Sequence, residues 1–170
     1  TGMISRELYE QRAKLGQDRS KDFMTVGSMG HASQIALGIA ISNPEKKVIC
    51  LDGDGAALMH LGGMTTIGTS KTGNLLHLVL NNAAHDSVGG QPTVADKISL
   101  TSIAQACCYK YVEGPLREKE EILDVLRKLN NLDGIRFAEI SVSKGARPDL
   151  GRPKESPIYN KEIFISNIRK

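Results

Sequence analysis

The sequence predicts a three-layer α/β/α domain built on a mainly parallel sheet, and three observations carry that prediction. Val48-Ile49-Cys50-Leu51 and Leu75-Leu76-His77-Leu78-Val79-Leu80 are short aliphatic runs of the kind that form strands buried on both faces. The stretch between them is long enough for a crossover helix, which parallel neighbours require. Beyond them, apolar runs and amphipathic stretches keep alternating, as expected of a sheet covered on both sides.

The elements follow in order. Ser5 to Leu15 reads as a charged amphipathic helix, and Gln34 to Ala40, small and aliphatic throughout, as a tightly packed one. Leu58 to Thr72 holds the crossover between the two strands, although Gly62, Gly63 and Gly68 weaken a helix there. Ser99 to Ala106 forms a short helix and Tyr109 to Val112 a strand. Lys119 to Leu129 is a helix that turns Ile122, Leu123, Val125, Leu126 and Leu129 to the core, and Ile135 to Val142 is a further strand. A Pro/Gly-rich stretch from Lys144 to Pro157 leads to a terminal helix at about Lys161 to Ile168. There are no internal repeats.

Composition fits one domain spanning residues 1–170. No apolar stretch approaches the roughly 20 residues needed to span a bilayer, and no charged-then-apolar leader opens the chain. A net charge of +3 and an aromatic content of 4% argue against nucleic acid as a partner. Cys50, Cys107 and Cys108 have neither metal-ligand nor disulfide-framework spacing and read as reduced thiols, which suits a cytoplasmic protein.

The chemistry concentrates where the two aliphatic strands end. Asp54, in Leu51-Asp52-Gly53-Asp54-Gly55, is followed 28 positions later by Asn82, in Leu78-Val79-Leu80-Asn81-Asn82. In a parallel sheet, ligands gather beyond the carboxyl ends of the strands. A carboxylate and an amide oxygen meeting there beside glycines suit a hard divalent cation that also holds phosphate oxygens. An EF-hand is excluded because its fifth and twelfth positions fall on Ala56 and Gly63. A dinucleotide fingerprint fails for want of its glycine spacing. A plain Asp-Gly turn remains an alternative.

Two further segments bear on the same edge. Val26-Gly27-Ser28-Met29-Gly30-His31-Ala32-Ser33 enters the small-residue helix, and its glycines either let backbone groups approach a ligand or serve a helix-entry turn. Asn82-Ala83-Ala84-His85-Asp86-Ser87-Val88-Gly89-Gly90-Gln91-Pro92-Thr93 is a polar loop directly after the second strand. Its His85 and Asp86 are candidates for proton transfer or substrate orientation, against the alternative of a solvated loop pair. Lys144, Arg147 and Arg152 form a basic cluster suited to an oxyanion, against the alternative of a solvated tail.

Taken together, these segments resemble the thiamine diphosphate (TPP) decarboxylases. The Gly-Asp-Gly with its later Asn-Asn is similar to their TPP motif. Val-Gly-Ser-Met-Gly-His-Ala, the 82–93 loop and Leu150-Gly151-Arg152-Pro153 most closely resemble the phosphonopyruvate decarboxylases, with the sulfopyruvate decarboxylases their nearest neighbours. The resemblance runs from Ser5-Arg6-Glu7-Leu8 to the Arg152-Pro153 region. It implies a TPP-binding fold in which Asp54, Asn82 and the Ala84 carbonyl hold Mg²⁺. It further implies that Gly27, Ser28, Met29 and Gly30 meet the cofactor rings and that Gly55 and Ala56 receive the diphosphate. The Gly27 carbonyl would face the 4′-amino group, and Met29 would wedge under the bend between the rings. The chain departs from the family pattern at Ala84, often glycine, and at Ala56, often a hydroxyl residue. The implied activity is decarboxylation of a small 2-oxo acid, with TPP and Mg²⁺ as cofactors.

Such enzymes pair this domain with a pyrimidine-binding domain that carries an activating glutamate, and 170 residues leave no room for it. The chain is therefore expected to be the C-terminal part of a longer polypeptide, which the Thr1-Gly2-Met3 opening favours, or a separate small subunit. The complete enzyme is expected to be a homo-oligomer. A non-catalytic phosphate-binding module and an assembly domain whose glycines merely permit close packing are the remaining alternatives.

Overall fold

The computed structural model describes residues 2–169. Four strands, β1 (Val48–Gly53), β2 (Leu75–Asn81), β5 (Tyr111–Leu116) and β6 (Arg136–Ser141), form one parallel sheet in the order β1-β2-β6-β5. A two-residue ribbon, β3 (Ala84–His85) with β4 (Gln91–Pro92), pairs antiparallel outside it. The helices are α1 (Gly2–Lys14), α2 (Ala32–Ser42), α3 (Asp54–Met59), α4 (Gly63–Thr69), α5 (Leu100–Ala106), α6 (Lys119–Asn130) and α7 (Pro157–Ile168).

Alternation along β2 explains the layering. Leu75, His77 and Val79 point to one face and Leu76 and Leu78 to the other, as the two-residue period of a strand dictates. The first set packs with Phe137 against Ala36 and Ala40 of α2, Met64 and Ile67 of α4, and Leu100 and Ala104 of α5. The second packs with Leu116, Ala138 and Ile140 against Ile122, Val125, Leu126 and Leu129 of α6. The chain advances across the sheet from β1 to β2 to β5 and then steps back to β6. Right-handed crossovers therefore put α4 and α5 on one face and α6 on the other. The expected three-layer α/β/α architecture is the one observed.

Several boundaries differ from the sequence reading. The crossover is two short helices broken at His60–Gly62, because the glycines interrupt it. The third large strand begins at Tyr111 because Tyr109 completes the turn after α5 and buries its ring beside His77 and Phe137. Leu123 is 42% exposed and lies off the buried stripe of α6. The terminal helix begins at Pro157, where the Ser156 hydroxyl accepts from the Tyr159 amide and Pro occupies the first turn. Among the described residues, no helix is long and apolar enough to cross a membrane.

Arg136, Asp52, His77 and Tyr109, buried in this core, are partnered. The Arg136 guanidinium donates to the Leu75, Leu129 and Leu132 carbonyls and so ties β6 to β2 and to the end of α6. Asp52, His77 and Tyr109 form a buried chain, with His77 Nε2 3.3 Å from Asp52 Oδ2 and His77 Nδ1 3.1 Å from the Tyr109 hydroxyl. Burial pushes the Tyr109 phenol and the neighbouring Cys50 thiol up from their ordinary values.

Candidate functional site

Because Gly53 of β1 lies in register with Leu80 of β2, the residues that follow the two strands emerge at one carboxyl edge. Asp54 opens α3 there and Asn82 opens the loop after β2. Asp54 is only 2% exposed, and its Oδ2 accepts a 2.5 Å hydrogen bond from the Thr93 hydroxyl. No described lysine, arginine or histidine pairs with it. A buried carboxylate held by one hydroxyl is expensive to keep charged, and a bound cation would offset that cost.

Thr93 reaches Asp54 because the β3–β4 ribbon folds the loop back, with the Thr93 amide donating to the Ala83 carbonyl at 3.0 Å. Sequence reading did not assign Thr93 a role, and only this long-range turn puts it there. Ala84, at the base of the ribbon, is buried, and its amide donates to Asn82 Oδ1 at 3.0 Å. Asn82 Nδ2 donates to Asp86 Oδ2 at 2.6 Å, and the same oxygen accepts from the Gly145 amide at 2.8 Å. Asp86 thus fixes which end of the Asn82 amide is which and links that loop to the segment after β6. Its neighbour Asn81 is turned away, donating to Glu139 at 2.7 Å.

The two glycine-bearing segments also converge. A Cβ on Gly55 would lie 2.5 Å from His85 Cε1, so the His85 ring sits directly against the first turn of α3. A Cβ on Gly30 would lie 2.5 Å from His60 Cδ2 and 3.0 Å from the Ala56 carbonyl oxygen. With φ of +87°, Gly30 is a position where a side chain is excluded by both conformation and space. The Gly27-Ser28-Met29-Gly30 turn is thereby docked on α3, beside Gly55 and Ala56.

A cleft of about 830 Å³ opens beside this turn, lined by Gly27, Ser28, Met29, Val88 and Arg152 among others. Of the basic residues expected to meet an oxyanion, Arg152 lies on this cleft and Lys144 is exposed next to Gly145. Arg147 pairs through its guanidinium with Glu7, Glu10 and Asp149 and so anchors α1 to the segment after β6. A second grouping, Cys50, Asp52 and His77, has ligand atoms within 4.8 Å of one another. Its Asp and His already bond each other inside the core, and it belongs to the buried chain described above.

The architecture and this edge define a cofactor-binding α/β domain, with a buried carboxylate, an amide and a glycine turn gathered beyond the strand ends. Residues 9–140 match the family model for the thiamine pyrophosphate enzyme, C-terminal TPP binding domain, and the chain belongs to that family. It is 40% identical over 157 residues to a phosphonopyruvate decarboxylase of Streptomyces viridochromogenes, covering 92% of this chain and 38% of that protein. A phosphonopyruvate decarboxylase of Streptomyces hygroscopicus is 38% identical over 157 residues, of which the match spans 37% of the length. A sulfopyruvate decarboxylase subunit beta of Methanothermobacter thermautotrophicus is 41% identical over 170 residues, covering 99% of this chain and 84% of the subunit. The chain thus spans well under half of the two Streptomyces relatives and most of the methanogen subunit. The thiamine diphosphate expected from sequence is the cofactor of the matched family.

Proposed function

We propose that this chain is the diphosphate- and Mg²⁺-binding part of a TPP-dependent decarboxylase that converts phosphonopyruvate to phosphonoacetaldehyde and carbon dioxide. The observation that carries the proposal is the buried Asp54 carboxylate, without a described cation partner, at the same sheet edge as Asn82. Asp54, the Asn82 side-chain oxygen and the Ala84 carbonyl would hold Mg²⁺, which favours a shell of oxygen ligands shared with phosphate. Gly55 and Ala56 would offer backbone amides to the diphosphate, while Gly27, Ser28, Met29 and Gly30 would contact the rings.

When bound, the cofactor supplies the electron sink that decarboxylation of a 2-oxo acid needs. The protein's part is to aim it. Met29 would set the cofactor's bend. His85, packed on Gly55, would hold or deliver a proton near the reacting centre. Asp86 would act chiefly by orienting Asn82 and the Gly145 segment, since its carboxylate already serves both. Lys144 and Arg152 would favour an anionic substrate.

A second substrate, sulfopyruvate, is supported by the 41% identity to a sulfopyruvate decarboxylase beta subunit, which stands beside the 40% identity to a phosphonopyruvate decarboxylase. In either case the pyrimidine-binding domain would come from the rest of a longer polypeptide or from a partner subunit, within a homo-oligomeric assembly. The test is a calorimetric titration of TPP with and without Mg²⁺ into the complete protein, followed by aldehyde-coupled assays on both acids. Binding that requires Mg²⁺ and turnover of either acid support the proposal. TPP binding indifferent to Mg²⁺, or no turnover of either acid, refutes it.

A further inference from the structure

We propose that Arg6 and Arg152 together form the subsite for the tetrahedral oxyanion, phosphonate or sulfonate, carried by the third carbon of the substrate. The inference rests on the decarboxylase reading above and adds to it the residues that select the acid. The other guanidinium groups on this side of the molecule are engaged. Arg12 pairs with Asp22 and Gln17, Arg19 pairs with Glu155 and lies 4.1 Å over the Tyr9 ring, and Arg147 pairs with Glu7, Glu10 and Asp149. Arg6 and Arg152 make no hydrogen bond, ion pair or ring contact with any described residue, and both line the cleft that contains Gly27, Ser28 and Met29.

Nothing else in that cleft neutralises them. Its two acids, Asp18 and Glu155, are engaged by Ser20 and Arg19. Two cations facing one cleft repel each other until an anion enters, and the guanidinium fork matches the oxygens of a phosphonate or sulfonate. The pair is also held on one scaffold. Glu10, one turn along α1 from Arg6, accepts from the amide of Gly151 at 2.7 Å, and the Lys154 amide donates to the Tyr9 hydroxyl at 3.3 Å. These bonds fasten the backbone on either side of Arg152 to the helix that carries Arg6.

The two arginines further lie outside residues 9–140, one beyond each end of the match to the general TPP-binding family. The cofactor chemistry is common to the family and the acid is not, so a substrate-selecting pair need not fall within that match. The cleft already contains the turn proposed to meet the cofactor rings. An acid whose reacting end lies at that turn would extend its charged end into the cleft that Arg6 and Arg152 line.

The test uses the complete protein and the variants Arg6→Gln, Arg152→Gln, Arg6→Lys and the double glutamine variant, with thermal unfolding as a folding control. Calorimetry first follows 3-phosphonopropionate and 3-sulfopropionate, inert analogues without the ketone. Each single glutamine variant is expected to weaken binding of the favoured analogue about 10- to 100-fold, the range for one hydrogen bond between charged groups. Arg6→Lys should recover part of that loss. The analogue bound more tightly by the wild type shows whether phosphonate or sulfonate is the source. In steady-state assays the kcat/KM preference for the matching anionic acid over pyruvate should fall by a similar factor, with TPP affinity unchanged. Unaltered analogue affinity and preference in folded variants that still bind TPP would overturn the subsite and leave the decarboxylase reading standing. A wild type that binds no TPP and decarboxylates no acid would remove both.

Discussion

Replacing Asp54 by asparagine should raise the stability of the cofactor-free protein and abolish its stabilisation by cofactor, and these opposite signs can be worked from the structure. The Asp54 carboxylate is buried, with one hydroxyl donor and no described cation beside it. Burying a charge in this way costs several kcal/mol, and a hydrogen bond to a charged acceptor returns about 1.5–3 kcal/mol. The Asp54→Asn substitution would keep the shape and an acceptor oxygen for Thr93 while removing the charge. The cofactor-free variant is therefore expected to be more stable by about 1–2 kcal/mol, or roughly 2–8 °C in Tm for a domain of this size. With Mg²⁺ and TPP at about 100 times the Kd, the wild type should gain about 2.7 kcal/mol by mass action. The variant should gain almost nothing, so the order of stabilities reverses. Calorimetric unfolding of the complete protein in EDTA and in Mg²⁺-TPP measures both numbers. An Asp54→Asn variant that is destabilised in EDTA, or that still gains stability only when Mg²⁺ accompanies TPP, would refute the argument.

Three other perturbations test separate parts of the structure. Thr93→Val removes the hydroxyl that orients Asp54 and should weaken Mg²⁺-dependent TPP binding about 10-fold in a calorimetric titration, the equivalent of one modest hydrogen bond. Gly68→Ala would drive a Cβ into the Cys107 carbonyl, and overpacking against backbone at that range should cost about 3 kcal/mol or more in denaturant unfolding. Cys108 is exposed whereas the Cys50 thiol is buried and pushed up by desolvation, so an aromatic disulfide reagent at neutral pH should modify Cys108 first and reach Cys50 only after unfolding, as peptide mapping would show.

The sequence by itself determined the sheet and the edge that bears the site. Uninterrupted aliphatic runs such as 75–80 have one stable environment, between two helical layers, so β1, β2 and β6 were legible to within two residues at each end. The Asp54 and Asn82 pairing was legible for the same reason, because residues that follow parallel strands emerge at a common edge. Tyr111–Leu116 was harder to bound, since Gly114-Pro115 has a turn's composition while Tyr111, Val112 and Glu113 before it and Leu116 after it pair with Arg136, Phe137, Ala138 and Ile140 of β6. Leu123 misled because a helical stripe read from sequence has no knowledge of where the sheet ends. Tertiary structure alone decided the partners of the polar groups. Thr93 meets Asp54 across 39 positions, Gly145 meets Asp86 across 59, and Arg147 is drawn from the basic cluster to Glu7 and Glu10 on the first helix. A hydrogen bond or ion pair depends on a few ångströms between atoms far apart in sequence, and only strand order and register fix that distance. Hydrophobic periodicity, being local, is written in the chain itself.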